Sequence, residues 1–252
     1  MTSNMPYSNS AACYKKSPFF SYKHSTYFSV YDILFSHYRG SPITFVEIGV
    51  LEGGSLFMWR EFFGPQARII GIDFNPNAKK WEEHGFEIFI GSQSSPEFWE
   101  EFFNEIGNVD ILLDDGGHTY VQQIITTEMA LEHINDGGLL VVEDTHTSYM
   151  PGFGDNNISF IKYCKIWVDR INDRFGKFSP EQTDKRVWSL EFFESFAAFK
   201  VNRVQSHQRS FPTVNGGIRD YAIDFRNEDQ GYIKENMSRI KEIIERALKL
   251  FA

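Results

Sequence analysis

Two pairs of adjacent acidic residues, each at the end of an apolar run, stand out as residues that could do chemistry. The run ILLDD ends on Asp114 and Asp115 and is followed by His118, and the run GLLVVED ends on Glu143 and Asp144. Carboxylates that converge repel one another strongly unless a cation or a proton neutralises them. The pattern therefore indicates a cation site or a proton-transfer site. Helix caps and solvated strand ends are the plain structural alternative.

A glycine-rich turn is a second candidate site. It follows the apolar run ITFVEIGV and contains Gly49, Gly53 and Gly54, and Ser55 can cap the helix that comes next. Glycines at such a turn let a ligand approach the backbone and expose amide groups at a helix N-terminus. The spacing is not the GxGxxG of dinucleotide binders, and Glu47 suits a ligand with a cationic head. A tight turn without a ligand is the alternative.

A further acid, Asp73, ends the apolar run ARIIGID. Folds of this kind bind a ribose diol at the end of the second strand, where two hydroxyls can donate to one carboxylate. A helix-capping role is the alternative for this residue. Together with the glycine turn, Asp73 predicts a nucleoside-type ligand beside the acid pairs.

These residues need a parallel sheet to bring them to one edge. Apolar, β-branched runs read as buried strands, and segments with helical spacing or capping residues separate them. Strands that alternate with helices predict an α/β fold with right-handed crossovers. The run VWSLEFFESFAAFKVNR predicts a hairpin, and the tail predicts an amphipathic helix. We expect a flexible segment at 1–20 and a single domain at 21–252. Within this domain we expect an N-terminal helix at 26–38, a core at 43–149, a lid or insert at 150–186 and a hairpin and helix at 187–252.

Length and charge narrow the classes of function. The 252 residues suffice for one α/β domain with extensions, and the formal net charge of −9 argues against a nucleic-acid partner. No apolar run approaches the ~20 residues that span a bilayer, and the first residues lack the apolar core of a signal peptide. Cys13 and Cys164 have no CxxC spacing, so we expect a reducing cytoplasm. The aromatic content of 16% favours a homo-oligomer.

The chain resembles the class I S-adenosylmethionine-dependent methyltransferases in the segments FVEIGVLEGGSLFMW, IIGID, GSQSSPEF, VDILLDDGGHTY and GLLVVEDTHTSY. Within them it is most similar to the metal-dependent O-methyltransferases that modify sugars on macrolides and other natural products, which are often grouped with cephalosporin hydroxylase-like proteins. The resemblance runs from about residue 23 to residue 149, and more weakly through 187–202. It implies a Rossmann-like fold with a mostly parallel seven-stranded sheet, one antiparallel strand and flanking helices.

The resemblance also assigns roles to residues. The ligands of Mg²⁺ or another hard divalent cation would be Asp115, Glu143 and Asp144, and the general base on the acceptor hydroxyl would be His118. Contacts to the methyl donor would come from Glu47, Gly49, Gly53, Ser55, Asp73, Ser92, Gln93 and Asp114. The residue types agree with these roles, because oxygen ligands favour a hard cation and an imidazole with a pKa near ~6.5 can accept a proton.

The segment before the first strand folds over the active site in similar proteins. Candidate substrate contacts are Lys23, His24, Tyr27, His146 and Tyr149. The family often has Trp where His146 stands, which changes the expected substrate wall. It often has Asp in place of Ser92 and Ser in place of Gly117, and neither change removes a proposed metal ligand. A solvated Lys23, a core Tyr27 and a plain surface loop after Tyr149 are the alternatives.

The expected function is Mg²⁺-assisted methyl transfer from S-adenosylmethionine to a hydroxyl of a sugar or another polyhydroxylated small molecule, in natural-product or surface-glycan biosynthesis. One alternative keeps the fold and changes the acceptor to a catechol, a phosphate-type oxygen or an antibiotic nucleus. The other is a Rossmann module that binds a nucleotide sugar without transferring a methyl group. The expected partner is a small hydroxylated acceptor, with neither a nucleic acid nor a membrane.

Overall fold

The computed structural model of the chain describes residues 9–154, 158–175, 184–218 and 229–249. The chain divides into two units, residues 1–210 and residues 211–252. This division separates the tail from the residues with which the sequence analysis grouped it in one domain. No helix in the described ranges is both long and apolar enough to cross a bilayer.

One sheet forms the centre of the first unit. Its strands are β1 (Thr44–Ile48), β2 (Arg68–Asp73), β3 (Glu87–Ile90), β4 (Val109–Asp114), β5 (Ile134–Val142), β6 (Ser189–Phe193) and β7 (Phe196–Lys200). They lie in the order β3-β2-β1-β4-β5-β7-β6, and β7 runs antiparallel to both of its neighbours while the other adjacent pairs are parallel. The expected fold, a mostly parallel seven-stranded sheet with one antiparallel strand, is confirmed.

Helices connect and flank these strands. The α-helices of the first unit are α1 (Ser10–Lys16), α2 (Tyr27–Phe35), α3 (Gly54–Phe63), α4 (Pro96–Ile106), α5 (Tyr120–Ala130), α6 (Phe160–Asn172) and α7 (Arg203–His207). The second unit contains α8 (Asp229–Glu235) and α9 (Met237–Lys249). Short 3-10 helices lie at Ser36–Tyr38, Pro76–His84, Leu131–His133 and Thr145–Tyr149. Ser95 and Ser159 accept hydrogen bonds from backbone amides at the starts of α4 and α6, the caps that their side chains favour.

Two apolar layers cover the two faces of the sheet. Along β1, Phe45 faces the layer that contains Trp59 of α3, and Val46 faces the layer that contains Trp99 of α4. This alternation follows because successive side chains of a strand point to opposite faces. All four side chains are fully buried, and each such burial contributes about 1.5–3 kcal/mol. The covered faces leave the carboxyl edge of the sheet as the place for polar residues.

The N-terminal segment is more ordered than the sequence analysis expected. Residues 1–8 lie outside the described ranges, but α1 follows at once, with Asn9 as its cap and Cys13 buried. The amide of Ser10 donates to Oδ1 of Asp32 in α2 at 2.9 Å. The expectation of a loosely held segment is therefore wrong for α1, because its anchors are tertiary contacts that a polar composition does not reveal.

Several element boundaries also differ from the expectation. The helix expected at 26–38 is α2 followed by a 3-10 turn. The hairpin is confirmed as β6 and β7, with Ser195 in its tight link at a φ of +66°. The short helix α7 was not predicted. Parts of the expected lid, at 155–157 and 176–183, lie outside the described residues.

Candidate active site

The carboxyl ends of β1, β4 and β5 bring the acid pairs to one edge of the sheet. Hydrogen bonds continue past the strands, since Asp115 N donates to Ile48 O at 3.1 Å and Glu143 N donates to Asp114 O at 2.9 Å. These bonds hold the two acid pairs side by side. A cavity of about 840 Å³, the donor-side cavity, opens here, and its wall includes residues of the glycine turn, Asp73 and three of the four paired acids.

Three predicted residues form a group that can hold a cation. One ligand atom from each of Asp115, His118 and Asp144 lies within 4.8 Å of the others, and all three residues are partly buried. Two carboxylates and an imidazole are donors that divalent cations accept, and the carboxylates favour a hard cation. The residues at this place therefore fit the divalent cation that the sequence implied.

Glu143, the third predicted metal ligand, lies deeper than the other two. Its carboxylate is fully buried, accepts a hydrogen bond from the hydroxyl of Tyr31 at 2.5 Å and lies 3.3 Å from the ammonium of Lys23. Burial, and then the charge of Asp115, raise the pKa of Glu143 well above its usual value. Both of its oxygens have partners within the protein, and its role as a metal ligand stays a prediction.

Lys23 lies at the donor-side cavity, among the acids. Its ammonium hydrogen-bonds to the carboxylate of Asp115 and lies 3.7 Å from Oε1 of Glu47, and its side chain is only 2% exposed. Burial alone lowers the pKa of Lys23, but the charges of Asp115 and Glu143 raise it well above its usual value. Lys23 is therefore a buried cation among the acids and not a solvated lysine, and its role as a substrate contact stays a prediction.

His118 and Asp144 share an unusual backbone conformation. Both have positive φ, +58° and +56°, a region that residues other than glycine seldom adopt. The hydroxyl of Thr147 lies 3.0 Å from the carbonyl oxygen of His118 and 2.8 Å from that of Asp144. Thr119, the next residue after His118, starts the capping box of α5. Backbone strain held in this way by its surroundings is typical of functional sites.

The glycine turn does not present the free amides that the sequence analysis expected. Oδ2 of Asp73 accepts hydrogen bonds from the amides of Val50 at 2.8 Å and Leu51 at 3.1 Å. The amides of Gly53 and Gly54 donate to backbone carbonyls. All four amides therefore have acceptors within the protein, and the prediction of exposed amides is wrong at these positions.

Other residues that were predicted to contact the methyl donor lie beneath the cavity wall. Glu47 is fully buried and accepts hydrogen bonds from Ser55 Oγ at 2.6 Å and Trp59 Nε1 at 3.0 Å. Asp114 is also buried and accepts a hydrogen bond from the side-chain amide of Gln93 at 3.0 Å. Burial raises the pKa of Glu47 to about 6 and that of Asp114 above its usual value. Buried carboxylates need hydrogen-bond partners, and these residues have them within the protein. The residues that lie behind the cavity wall are thus Glu47, Ser55 and Asp114.

The two glycines predicted to approach the donor differ in their surroundings. Gly49 has a φ of +91°, and a Cβ added to it would lie 2.1 Å from the carbonyl oxygen of Asp115. Gly53 has a φ of +79°, and a Cβ added to it would meet the ring of Trp81 at 2.2 Å. Gly49 therefore allows two loops to meet at the cavity, whereas Gly53 allows packing against Trp81. The predicted donor contacts that line the cavity are Gly49, Asp73, Ser92 and Gln93.

A second cavity, of about 730 Å³, shares His24 and Tyr27 with the first. We call it the acceptor-side cavity. The hydroxyl of Tyr27 hydrogen-bonds to the carboxylate of Asp144, so the two cavities meet at the acid group. The predicted substrate residues that line it are His24, Tyr27, His146 and Tyr149. Four of the five residues expected to contact the acceptor therefore line the acceptor-side cavity.

The β6–β7 hairpin supplies residues to this cavity that the sequence analysis missed. Phe192 and Phe193 line it, and Ser195 Oγ lies 2.9 Å from Nδ1 of His146. The amide of Thr145 donates to the carbonyl of Ser195 at 3.1 Å and so fastens the hairpin to the loop after β5. The available signal was the pair of phenylalanines before the tight link, but only the pairing of β7 with β5 shows where that link lies.

Comparisons with known proteins agree with this arrangement. Residues 46–145 match the family model described as a methyltransferase domain. The chain is 31% identical over 198 residues to the 8-demethyl-8-alpha-L-rhamnosyl tetracenomycin-C 2'-O-methyltransferase of Streptomyces olivaceus, a match that covers 72% of this chain and 52% of that protein. It is 33% identical over 190 residues to the mycinamicin VI 2''-O-methyltransferase of Micromonospora griseorubida, covering 69% of this chain and 47% of that protein. The chain spans about half the length of these curated relatives.

A solved structure shares the fold. It is the MycE methyltransferase from the mycinamycin biosynthetic pathway in complex with Mg, SAH and mycinamycin VI. The TM-score is 0.72 at 27% sequence identity, and the match covers 85% of this chain and 58% of that chain. Residues 46–145 therefore match a methyltransferase domain, the chain shares its fold with a solved methyltransferase, and it is similar to the sugar and macrolide O-methyltransferases.

Proposed function

We propose that the chain transfers a methyl group from S-adenosylmethionine to a hydroxyl of a sugar in a glycosylated small molecule, assisted by Mg²⁺ or another hard divalent cation. The observation that carries the proposal is the group formed by Asp115, His118 and Asp144 where the donor-side and acceptor-side cavities meet. The relatives support the class of acceptor, because their names describe O-methyltransferases that act on sugars of natural products.

The donor-side cavity would hold S-adenosylmethionine. Gly49 gives close access to the backbone, and Asp73, Ser92 and Gln93 offer polar groups along the same wall. Asp73 already accepts hydrogen bonds from backbone amides, but each carboxylate oxygen has two lone pairs. Oδ2 of Asp73 has both lone pairs in use and Oδ1 has one, so Asp73 can keep these bonds and accept one hydrogen bond from a ribose hydroxyl at Oδ1. A contact to both hydroxyls of the diol, the role that the sequence indicated, would replace one of the amide bonds.

The acid group would activate the acceptor. Asp115 and Asp144 would hold the divalent cation, which supplies Lewis acidity that makes a chelated hydroxyl easier to deprotonate. Nε2 of His118 would stay off the cation in this role and take the hydroxyl proton, and Asp144 Oδ2, 3.4 Å away, would stabilise the resulting imidazolium. As the acceptor oxygen bonds to the methyl carbon, the bond from that carbon to sulfur breaks, and the proton remains on His118.

The acceptor-side cavity favours a sugar joined to a larger apolar body. Tyr27 and Tyr149 bring aromatic side chains to it from one side, and Phe192 and Phe193 do so from the hairpin. Aromatic rings pack well against the apolar face of a sugar or against a planar ring system. The cavity is large enough, at about 730 Å³, for a drug-sized molecule.

The direct test is an assay of the purified chain with S-adenosylmethionine, Mg²⁺ and a panel of glycosylated, catechol and phosphorylated acceptors, followed by mass spectrometry of the products. We expect one methyl group on a glycosylated acceptor, loss of turnover in EDTA and recovery with excess Mg²⁺. Calorimetry with S-adenosylmethionine should show binding with or without Mg²⁺. A folded chain that does not bind the donor would contradict the whole proposal, whereas full turnover in EDTA would contradict only the metal.

Two further expectations from the sequence stay predictions. The homo-oligomeric state can be tested by light scattering coupled to size-exclusion chromatography. The cytoplasmic location can be tested by fractionation of cells that express the chain.

A further inference from the structure

A single ammonium joins carboxylates at the ends of three adjacent strands. Lys23 Nζ hydrogen-bonds to Asp115 after β4, lies 3.3 Å from Oε2 of Glu143 after β5 and lies 3.7 Å from Oε1 of Glu47 in β1. The side chains of Lys23, Glu47 and Glu143 are at most 2% exposed, and that of Asp115 is 19% exposed. Lys23 is thus enclosed by the acids and shielded from solvent.

The charge of Lys23 is what permits these acids to be buried together. Taking an ionised carboxylate out of water costs several kcal/mol unless an opposite charge and hydrogen bonds compensate it. Glu47 has Ser55 and Trp59 as donors, and Glu143 has Tyr31. Asp115 is different, because among the described residues Lys23 is the donor to its side chain.

The backbone around Lys23 is tied to the donor turn. Ser17 Oγ donates to the carbonyl of Gly54 at 2.8 Å, and the amide of Gly54 donates to the carbonyl of Phe20 at 3.1 Å. On the other side of Lys23, the hydroxyl of Tyr27 binds the acid pair that follows β5. These anchors lie on both sides of Lys23 along the chain, so they limit where its ammonium can go.

Asp115 belongs both to this ammonium contact and to the group that fits a divalent cation. A carboxylate oxygen that accepts a hydrogen bond from an ammonium is less available to a metal, and two cations close together repel. The contact to Lys23 therefore opposes the entry of a second cation at the same carboxylate.

We propose that Lys23 is a positioning residue that acts as a built-in cation for Asp115, and that a divalent cation entering the site competes with it. This inference rests on the proposed metal site. Lys23 keeps the acids in place before the metal binds and lowers the affinity of the site for the metal, and metal binding loosens the contact between Lys23 and Asp115. Neither effect requires Lys23 to touch the donor or the acceptor.

The first experiment compares Mg²⁺ binding to the wild type and to Lys23→Met by calorimetry, with no donor or acceptor present. The variant should bind Mg²⁺ on the order of tenfold more tightly, because it lacks the competing charge. Its Tm should fall in EDTA and recover in Mg²⁺ by more than that of the wild type. Lys15→Met, which removes an exposed lysine of α1, is the matched control and should change neither value.

A merely structural role would lower the Tm of Lys23→Met equally in EDTA and in Mg²⁺ and would leave Mg²⁺ affinity unchanged or weaker. Either result in a folded variant would overturn the proposal. If neither the wild type nor the variant binds Mg²⁺, the proposed metal site fails together with this inference. Tight binding to both proteins with equal affinity refutes the role of Lys23 alone.

A second experiment needs no variant and stays informative if Lys23→Met does not fold. The wild type is treated with a lysine-acylating reagent in EDTA and in saturating Mg²⁺, and the labelling of each lysine is measured by mass spectrometry. Labelling of Lys23 should rise several-fold in Mg²⁺, while that of Lys15 should stay constant. Equal labelling of Lys23 under both conditions, with Mg²⁺ shown to be bound, would overturn the competition.

Discussion

The imidazole Nε2 of His118 lies 3.4 Å from Oδ2 of Asp144, and the carbonyl oxygens of both residues lie within hydrogen-bonding distance of the hydroxyl of Thr147. His118 Nδ1 is buried without a hydrogen-bond partner among the described residues, so Nε2 is the nitrogen that faces the acids. Under the proposed function, this arrangement gives a base whose protonated form is stabilised by a neighbouring carboxylate.

His118→Ala should lower kcat by about 10²–10⁴-fold, because the acceptor hydroxyl loses its base. The affinity for S-adenosylmethionine, measured by calorimetry, should stay within about twofold of the wild type. His207→Ala, at an exposed histidine of α7, is the control and should retain full turnover. A His118→Ala protein with nearly normal kcat would remove the base from the mechanism.

Asp144→Asn should weaken Mg²⁺ binding by at least about tenfold, because one anionic ligand becomes a neutral amide. The same variant should bind S-adenosylmethionine normally, since Asp144 lies at the acceptor end of the donor-side cavity. The measurements are calorimetric titrations with Mg²⁺ and with donor. The control is Asp169→Asn, which makes the same chemical change at an exposed residue of α6, away from the site. Equal Mg²⁺ affinity in both variants would argue against a metal at Asp144.

Gly49→Ala should abolish donor binding and destabilise the protein by more than the ~1 kcal/mol expected for a positive φ alone, because its Cβ would meet the carbonyl of Asp115. Gly85→Ala is a close control, since Gly85 has a φ of +78° but the added Cβ would lie 4.0 Å from Arg60 Nη2, at ordinary contact distance. Urea unfolding and donor calorimetry measure the two effects. If both variants lose equal stability and both bind the donor, the close approach of the loops is unimportant.

Glu47→Gln should change how stability depends on pH. Burial raises the pKa of Glu47 to about 6 from an ordinary 4.5, so the folded state holds a proton that the unfolded state has released between these values. The wild type therefore loses stability as the pH rises through this window, and the glutamine variant does not. The stability of the variant relative to the wild type should rise by about 1 kcal/mol between pH 5 and pH 7.

Urea unfolding at the two pH values measures this difference, and costs of the substitution that do not depend on pH cancel. Glu100→Gln, at an exposed glutamate of α4, is the control and should show no such change. A difference of zero for Glu47→Gln would mean that Glu47 titrates alike in the folded and unfolded states.

Tyr149→Ala should raise the KM for a glycosylated acceptor by about tenfold and leave the Kd for the donor unchanged, because Tyr149 lines the acceptor-side cavity only. Steady-state kinetics with each substrate varied in turn separate the two effects. Phe175→Ala removes an aromatic ring that is 70% exposed and lies outside both cavities, and it should alter neither constant. A raised Kd for the donor in Tyr149→Ala would contradict the prediction that this residue contacts the acceptor alone.

The sheet and the acid pairs were predictable because their signals are local. Phe45 and Val46 alternate between two apolar layers within one continuous apolar run, and such runs identify buried strands in any α/β chain. Asp115 is the first residue after β4 and Asp144 is the second after β5, so the pairing of these parallel strands brings them together. The helix cap formed by Ser95 is also a local signal, since the residue types at the start of α4 determine where the helix begins.

The features that were not predictable depend on contacts between distant parts of the chain. Lys23 meets Asp115 and Glu143 across separations that no sequence period encodes, and a lysine in a polar stretch reads by default as solvated. Glu47 of β1 lies under the cavity wall, where Trp59 of α3, twelve residues further along the chain, donates to its carboxylate. The anchoring of α1 follows the same rule, since it depends on Asp32 in α2.

The amides of the glycine turn are hydrogen-bonded within the protein, and this has a consequence for ligand selection. Nucleotide folds that hold a pyrophosphate do so with unpaired main-chain NH groups at a helix start, and here the NH groups of Val50, Leu51, Gly53 and Gly54 are occupied. A dianionic ligand would have to break these bonds and lie near the anion of Asp73. We therefore expect the turn to bind nucleoside diphosphates, including activated sugars, less well than a nucleoside whose remaining end carries positive charge.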